Sequence, residues 1–233
     1  MHALAPRLRQ GAADLNCMLD GAQIQCLLDY LELLQKWNKV YNLTAVRDPQ
    51  EMLTHHLFDC LAVIRPLQNY LQNYLQTVAD RQTHPLRLLD VGSGAGLPGV
   101  VIAICCPGVM VHCVDTVAKK AAFIQQVASS LRISNLQGIH ARVESLAEQY
   151  DVITSRAFAA LPDFCRWSES ALSAQGVWMA MKGKYPADEV AALPEFAEVF
   201  HVEQLQIPDL SVERCLVWMR RRRDCAPDQR KLG

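Results

Sequence analysis

Glycine recurs at alternate positions in one segment near the middle of the chain. Residues 90–99 read DVGSGAGLPG, and the apolar run Leu86–Val91 that leads into them predicts a buried strand. Glycines are needed where a strand turns sharply into a helix and a ligand lies against bare backbone. The segment is therefore expected to form a cofactor-binding loop between a strand and a helix.

An acidic residue follows the next predicted strand. Asp115 comes directly after the apolar run Met110–Val114 and lies 23 positions after Gly92. In nucleotide-binding folds, an acid about 20 residues beyond the glycines accepts hydrogen bonds from ribose hydroxyls. Asp115 is thus a candidate ligand of an adenosine ribose.

Two cofactors compete for this loop. Gly94–Gly99 matches G-x-G-x-x-G, the dinucleotide pattern, which would make the protein a nicotinamide-dependent oxidoreductase. Asp90, Gly92, Gly94 and Gly96 also match D-x-G-x-G-x-G, the pattern of S-adenosylmethionine-dependent methyltransferases. The carboxylate of Asp90 favours the second cofactor, because it suits a cationic amino-acid end and is unfavourable beside a pyrophosphate. A structural turn without any ligand remains a third interpretation.

The elements that must position these residues fall into two regions. From Asp20 to Val78, apolar residues at three-to-four spacing predict helices, with Asp20 as an N-cap. From Leu86 onwards, short apolar strands alternate with helices, which is typical of a mainly parallel sheet covered on both faces. The predicted strands are Leu86–Val91, Met110–Val114, Leu136–His140, Val152–Ser155 and Val177–Met181, followed by a hairpin near Val199–Ile207 and Arg214–Met219.

The predicted fold class is α/β. A helical extension over residues 1–80 precedes a Rossmann-like class I methyltransferase domain over residues 81–233, with the boundary near Asp80–Pro85. The net charge of −1 excludes a globally basic nucleic-acid-binding coat. Nine cysteines without a C-x-x-C pair, and no apolar run near the ~20 residues of a membrane span, predict a soluble, cytoplasmic protein with reduced thiols. We expect a monomer.

Several further blocks occur in a fixed order along the chain. Through them, the chain resembles the ribosomal small-subunit methyltransferase G family, also called glucose-inhibited division protein B. The blocks run from about residue 30 to residue 220 and are Trp37–Ala45, His56–Asp59, Leu88–Gly99, Arg142–Glu144, Ser155–Ala159 and Lys182-Gly183.

The resemblance implies an activity and a set of contacts. The activity is methylation of guanine N7 in 16S ribosomal RNA, at position 527 in the 530 loop, on free RNA or the 30S subunit. The implied contacts with S-adenosylmethionine come from the glycine loop, from residues beside the adenine ring and from an arginine beside the cofactor or the target base. With the residues derived above, the expected cofactor set is Gly92, Gly94, Leu97, Asp115, Val143, Glu144 and Arg156. A non-catalytic sensor that binds an adenosyl ligand and RNA remains an alternative.

No catalytic residue is assigned from the sequence. Guanine N7 carries a lone pair and no proton at neutral pH, so methyl transfer to it needs positioning more than a strong base. Asp59 and Asn42 are hypothetical candidates for stabilising the positive charge that develops on the purine. A helix cap or a core hydrogen bond explains each of them equally well.

Three further groups of residues each have a functional and a structural interpretation. Lys182 and the run Arg220–Arg223 suit RNA phosphates or an ordinary charged surface. The pair His55-His56 lacks partner ligands at suitable spacing, so no metal site is expected. The aromatic residues Trp37, Tyr41 and Phe58 suit a helical core better than base stacking.

Overall fold

The computed structural model describes residues 2–77 and 85–222, which form one seven-stranded sheet with helices on both faces. The strand order is β3-β2-β1-β4-β5-β7-β6; the first five strands in that order are parallel, and β7 is antiparallel to both of its neighbours. The strands are β1 (Leu86–Val91), β2 (Val109–Asp115), β3 (Leu136–His140), β4 (Tyr150–Arg156), β5 (Leu172–Lys182), β6 (Ala197–Ile207) and β7 (Leu210–Arg221). The α/β fold class is therefore confirmed, as is the late hairpin.

Helices precede the sheet and connect its strands. The helices that precede it are α1 (Ala5–Asp14), α2 (Gly21–Tyr41), α3 (Pro49–Met52), α4 (Asp59–Leu61) and α5 (Ile64–Thr77), with a π-helical segment, Leu53–Phe58, between α3 and α4. The later helices are α6 (Gly99–Cys105), α7 (Ala118–Ser130), α8 (Leu161–Ser168) and α9 (Ala187–Ala191). Three-residue 3₁₀ helices lie at His2–Leu4, Val143–Ser145 and Glu169–Ala171.

The alternation of side chains along the strands divides the core into two hydrophobic clusters. Successive residues of a strand point to opposite faces, so Leu88 and Leu89 of β1 enter different clusters. Leu88 joins the cluster that contains α6, α7 and the helices α1 to α5, whereas Leu89 joins the cluster beneath α8. The helices before β1 thus share one continuous apolar core with the sheet.

Helix α2 is the longest element and begins as the sequence predicts. The side chain of Asp20 accepts a hydrogen bond from the backbone N–H of Gln23, and the side chain of Gln23 accepts one from the backbone N–H of Asp20. This reciprocal pair is a capping box, which satisfies free N–H groups at the helix start. The N-cap prediction for Asp20 is confirmed. Helix α1 lies within the predicted helical extension, although the sequence pattern does not identify it as a separate helix.

One predicted helix was too long. The sequence pattern predicts a helix over Pro162–Ala174, but α8 ends at Ser168 and β5 already begins at Leu172. Leu172 is fully buried and pairs with Tyr150 of β4, next to a register shift in the ladder. Burial against the neighbouring strand overrides the local helical periodicity here.

Residues 78–84, which include most of the predicted domain boundary, lie outside the described residues. Within the described ranges, no helix is long and apolar enough to cross a membrane.

Candidate active site

A cavity of about 430 Å³ opens at the carboxyl ends of β1 to β4. The strand order reverses between β1 and β4, and open α/β sheets bind ligands at such a reversal point. The volume lies within the range of about 300–1,000 Å³ that is typical of cofactor sites. The lining residues lie at the ends of β1 to β4 and on helices α7 and α8: Val91, Gly92, Val114, Asp115, Thr116, Val117, Lys120, Ala141, Arg142, Val143, Glu144, Ala157, Phe158 and Trp167.

The three alternating glycines of the loop all have left-handed backbone angles. The φ angles are 65° at Gly92, 58° at Gly94 and 86° at Gly96. Only glycine adopts this region without a steric cost, so the loop conformation requires this residue type. At Gly92 space is also limited, because an added Cβ would lie 2.1 Å from Cδ2 of Phe158. The Phe158 ring thus packs directly against the first glycine of the loop.

Asp115 lies in the cavity wall and organises the glycine loop. One carboxylate oxygen accepts a 3.0 Å hydrogen bond from the backbone N–H of Gly94, and the other accepts one of 2.9 Å from the N–H of Val117. The ammonium group of Lys120 lies 3.5 Å from the same oxygen that Gly94 contacts. Each carboxylate oxygen has two lone pairs, so both can accept further hydrogen bonds from a ligand. This arrangement fits the two hydroxyls of a ribose.

Asp90 lies beneath the loop and does not line the cavity. Its side chain points to the same face as Leu88, and one carboxylate oxygen accepts a 2.8 Å hydrogen bond from the N–H of Gly99 at the start of α6. The other oxygen is buried and, within the described residues, has no hydrogen-bond partner. Burial raises the pKa of Asp90 to about 7, against the opposing effects of the Gly99 hydrogen bond and the charge of Arg156.

Ser93 presents a second unpartnered polar atom in the loop. Its hydroxyl group is buried and neither donates nor accepts a hydrogen bond among the described residues. Buried polar groups are nearly always hydrogen-bonded in native proteins. Asp90 beneath the loop and Ser93 within it thus each carry one buried polar atom without a hydrogen-bond partner among the described residues.

The residues after β3 form the opposite wall. Val143 is buried and Glu144 is exposed, and both line the cavity. The Glu144 carboxylate accepts a 2.9 Å hydrogen bond from Arg142. Its pKa is lowered by a backbone hydrogen bond and by Arg142, so it is ionised at neutral pH. An apolar wall beside a carboxylate suits the flat face and the amino group of an adenine ring.

The remaining predicted cofactor residues do not line the cavity. Leu97 is buried in the core cluster, and Gly94 contacts the site through its N–H to Asp115. Arg156, at the end of β4, directs Nη1 to Asp59 at 2.9 Å and to the carbonyl oxygen of His55 at 3.1 Å.

Asp59 is held between two arginines. Its second carboxylate oxygen accepts a 2.9 Å hydrogen bond from Nε of Arg214 in β7. Asp59 is only 3% exposed. A buried carboxylate that already has two cationic partners is not free to stabilise charge on a purine. The hypothesis that Asp59 does so is therefore not supported by its surroundings.

The other hypothetical candidate is part of a helix end. Asn42 is exposed, has a left-handed φ of 51°, and forms the C-cap of α2. Its side-chain oxygen accepts a hydrogen bond of 3.1 Å from Arg47. The capping interpretation accounts for Asn42 as the structure places it.

Three of the residues predicted as possible RNA contacts are engaged within the fold. Lys182 donates hydrogen bonds to the Glu189 carboxylate at 2.7 Å and to the Ala159 carbonyl at 3.0 Å. In the arginine run, Arg220 pairs with Glu198 at 2.7 Å, and Arg221 donates to backbone carbonyls of residues 169, 172 and 173. Arg223 lies outside the described residues.

The histidine pair does not form a metal site in the described part of the chain. Groups of three or more metal-ligating side chains are absent from those residues. His56 is buried and its Nε2 lies 2.8 Å from the hydroxyl oxygen of Thr44, while His55 is exposed. Burial lowers the pKa of His56 to about 4.

Phe58 and Trp37 pack against the core as the helical spacing indicates, whereas Tyr41 does not. Phe58 is fully buried, and Trp37 lies 5.4 Å from Phe123, ring centre to ring centre. Tyr41 is 40% exposed and contacts Trp37.

Sequence reasoning did not identify several of the lining residues. Phe158 and Trp167 form an edge-to-face pair with ring centres 5.7 Å apart, and Lys120 approaches Asp115. Phe158 lies within the block Ser155–Ala159, and its position just after a strand end is the available signal. Trp167 lies on α8, nine residues after Phe158, and no local pattern identifies it.

The sheet, its reversal point, the glycine loop after β1 and the acid after β2 define a class I S-adenosylmethionine-dependent methyltransferase. A solved structure with a similar fold is TrmN from Thermus thermophilus, with a TM-score of 0.50 and 17% sequence identity over 70% of this chain and 49% of that one. At that identity the likeness shows the fold alone.

The family follows from the sequence comparisons. The family model of rRNA small subunit methyltransferase G matches residues 23–217, so the chain belongs to that family. It is 62% identical to the Ribosomal RNA small subunit methyltransferase G of Paracidovorax citrulli, over 95% of this chain and 91% of that protein. It is 65% identical to the protein of that name from Acidovorax sp. strain JS42, over 91% and 93% respectively. The protein is therefore a methyltransferase with S-adenosylmethionine as its cofactor, and not an oxidoreductase.

Proposed function

We propose that this protein methylates N7 of a guanine in 16S ribosomal RNA, at position 527 in the 530 loop. The observation that carries the proposal is the family match across residues 23–217, which includes every strand end around the cavity. The substrate is either free 16S RNA or the 30S subunit.

The proposed cofactor contacts divide between the two ends of S-adenosylmethionine. Asp115 accepts the ribose hydroxyls, while Val143 and Glu144 hold the adenine ring. The backbone of Gly92, Gly94 and Leu97 shapes the loop beside the methionine end, and Arg156 binds the carboxylate there. The cavity lining supports the adenosine assignments, and the position of Arg156 next to Ala157 of the lining supports the last one.

The chemistry requires little acid–base catalysis from the protein. Bound S-adenosylmethionine supplies an electrophilic methyl group on a positively charged sulfur. Guanine N7 attacks with its in-plane lone pair, so the protein's task is to hold the base in line at about 3–3.5 Å from that methyl group. The absence of a free carboxylate at Asp59 is compatible with catalysis by positioning.

The division of the chain into an extension, residues 1–80, and a methyltransferase domain, residues 81–233, is part of the proposal. So are a monomeric state and a cytoplasmic location, where ribosomal RNA is modified. All eight cysteines in the described residues are unpaired, which supports a reducing compartment.

The test is methyl transfer from labelled S-adenosylmethionine to purified 30S subunits, free 16S RNA and protein. We expect incorporation into RNA at one guanine N7, mapped by cleavage of the RNA at methylated guanines. Cells that lack this gene should regain the mark with the wild-type gene and not with Gly92→Asp, because a side chain there displaces Phe158 and intrudes on the loop.

Two outcomes would contradict the proposal. Incorporation at a different nucleotide would overturn the target. Binding of adenosylhomocysteine without transfer to any RNA would instead indicate a sensor that keeps the pocket without turnover.

A further inference from the structure

The buried cluster of Asp59, Arg156 and Arg214 joins three distant parts of the chain at the carboxyl edge of the sheet. Asp59 comes from α4, Arg156 from the end of β4 and Arg214 from β7, and both ion pairs have N–O distances of 2.9 Å. The side chains of the two arginines are 22% and 29% exposed. One carboxylate thus neutralises only one of two partly buried positive charges, and the cluster keeps a net positive charge.

Arg156 has N–H donors without a partner among the described residues, and such donors suit an anionic ligand. A guanidinium group carries five N–H donors, and Nη1 accounts for two of them in the contacts with Asp59 and His55. Within residues 2–77 and 85–222, Nε and Nη2 have no hydrogen-bond partner. Arg156 directly precedes Ala157 and Phe158, which both line the cavity. The proposed contact with the cofactor carboxylate assigns these free donors to the methionine end of the site.

Arg214 determines how Asp59 can bind Arg156. While Arg214 occupies one carboxylate oxygen of Asp59, only the other oxygen is available to Arg156. Arg156 and Asp59 therefore form a single hydrogen bond through Nη1 and not a bidentate pair. Without Arg214, the freed oxygen is buried and unsatisfied. The favoured relief is a two-sided fork between Asp59 and Arg156, because planar guanidinium and carboxylate groups match in that geometry. Such a fork would turn Nη2 or Nε away from the site.

We infer that Arg214 and Asp59 are positioning residues, which hold Arg156 so that its free N–H groups bind the carboxylate of the cofactor. The inference rests on the proposed contact between Arg156 and that carboxylate. Arg214 itself touches neither the cavity lining nor the glycine loop among the contacts of the described chain.

Two ligands separate positioning from a general loss of structure. Adenosylhomocysteine carries the amino-acid carboxylate, whereas 5′-methylthioadenosine keeps the adenosine and sulfur but lacks that carboxylate. We expect Arg214→Gln to weaken adenosylhomocysteine about tenfold in calorimetric titration while leaving 5′-methylthioadenosine within about twofold of wild type. Arg214→Lys keeps a charged donor for Asp59 and should recover most of the affinity.

Arg87→Gln is the matched control. Arg87 is also a strand arginine paired with one carboxylate, that of Glu148, and is 34% exposed, but it lies at the opposite edge of the sheet. Its replacement should change neither affinity, and thermal unfolding of each variant without ligand reports any loss of fold.

The outcomes distinguish this inference from the proposed function. Suppose that Arg156→Gln lowers the affinity for adenosylhomocysteine alone. If Arg214→Gln then leaves both affinities unchanged, or lowers the affinities for both ligands equally, the positioning role is overturned and the Arg156 contact stands. If Arg156→Gln itself fails to discriminate between the ligands, both the contact and the positioning role are overturned. RNA methylation is not an arm of this experiment, so the substrate assignment is tested separately.

Discussion

The hydroxyl group of Tyr30, in α2, donates a 2.8 Å hydrogen bond to the carbonyl oxygen of Ala95, inside the glycine loop. Tyr30 is fully buried and Ala95 is 5% exposed, so water does not replace this contact. The helices before the sheet therefore do more than cover one of its faces. They supply a direct polar support for the loop that shapes the cofactor site.

We expect Tyr30→Phe to destabilise the protein by about 1–3 kcal/mol, because it leaves a buried carbonyl oxygen without a partner. Urea unfolding measures this change, and calorimetry should show weaker binding of adenosylhomocysteine because the loop loses its support. Tyr41→Phe is the control, since Tyr41 lies at the end of the same helix and is 40% exposed. Equal effects of the two variants would argue against a special role for the Tyr30 hydroxyl group.

Alanine at Gly92 and at Gly94 should have different costs. Both positions have left-handed φ angles, so each variant loses about 1–2 kcal/mol to backbone strain. Only at Gly92 does the new Cβ meet Phe158 at 2.1 Å, whereas the nearest atom at Gly94 is 4.0 Å away. Gly92→Ala should therefore cost about 1–3 kcal/mol more in unfolding free energy without ligand.

The same clash predicts coupling between Gly92 and Phe158. In the double variant Gly92→Ala/Phe158→Ala, the total loss should be smaller than the sum of the single losses. Strict additivity would show that the Phe158 ring does not limit the space at Gly92.

Asp115→Asn should weaken adenosylhomocysteine by about tenfold to a hundredfold, which corresponds to the ~1.5–3 kcal/mol of hydrogen bonds to a charged acceptor. The variant replaces one acceptor oxygen by an N–H₂ donor, which must then face the N–H of Gly94 or of Val117. Calorimetric titration gives the affinity. Asp14→Asn, at an exposed position in α1, should bind as wild type does. An unchanged affinity in Asp115→Asn would exclude this carboxylate as a ribose ligand.

The raised pKa of Asp90 predicts that the free energy of unfolding falls as the pH rises. Burial raises its pKa from 3.8 to about 7, so between these values the folded protein binds a proton that the unfolded chain has released. This contribution is complete below pH ~4 and is lost as the pH rises through about 7. The wild type should therefore lose stability relative to Asp90→Asn as the pH rises, by at most about 1.4 kcal/mol per pH unit.

Denaturant unfolding of both proteins from pH 4 to pH 7 measures this difference. Groups that titrate in both proteins, including the buried His56, cancel in the comparison. A difference that stays constant over the whole range would mean that Asp90 is ionised throughout. Asn is the appropriate replacement because its oxygen can still accept from Gly99.

The parts of the fold that follow from the sequence are those with strong local patterns. Strands β1 and β3 were predicted with the bounds that the structure gives, because each is a short apolar run between clear turns. The glycine spacing and Asp115 identified the cofactor loop and the second strand end for the same reason. The overextended prediction at α8 failed where a buried ladder partner, and not local periodicity, determines the backbone.

The less predictable parts of the site depend on contacts between distant residues. Asp90 fits a cofactor pattern, yet its side chain faces α6, because strand alternation places it on the same face as Leu88. Asp59 and Arg156 lie in two of the blocks that carry the family resemblance, but no pattern indicates that they are bonded to each other. Arg214 carries no local signal, since its role depends on the antiparallel return of β7 beside β5.

The Asp59 cluster also has a consequence for the order in which the molecule matures. Its two ion pairs span 97 and 155 residues of sequence, so closing them requires long loops and contributes to slow folding. A ribosome synthesises Asp59 long before Arg214. A nascent chain therefore carries the Asp59 carboxylate without its second cationic partner until Arg214 has been synthesised. The Asp59 cluster is complete only after β7 has been synthesised and has paired with β5.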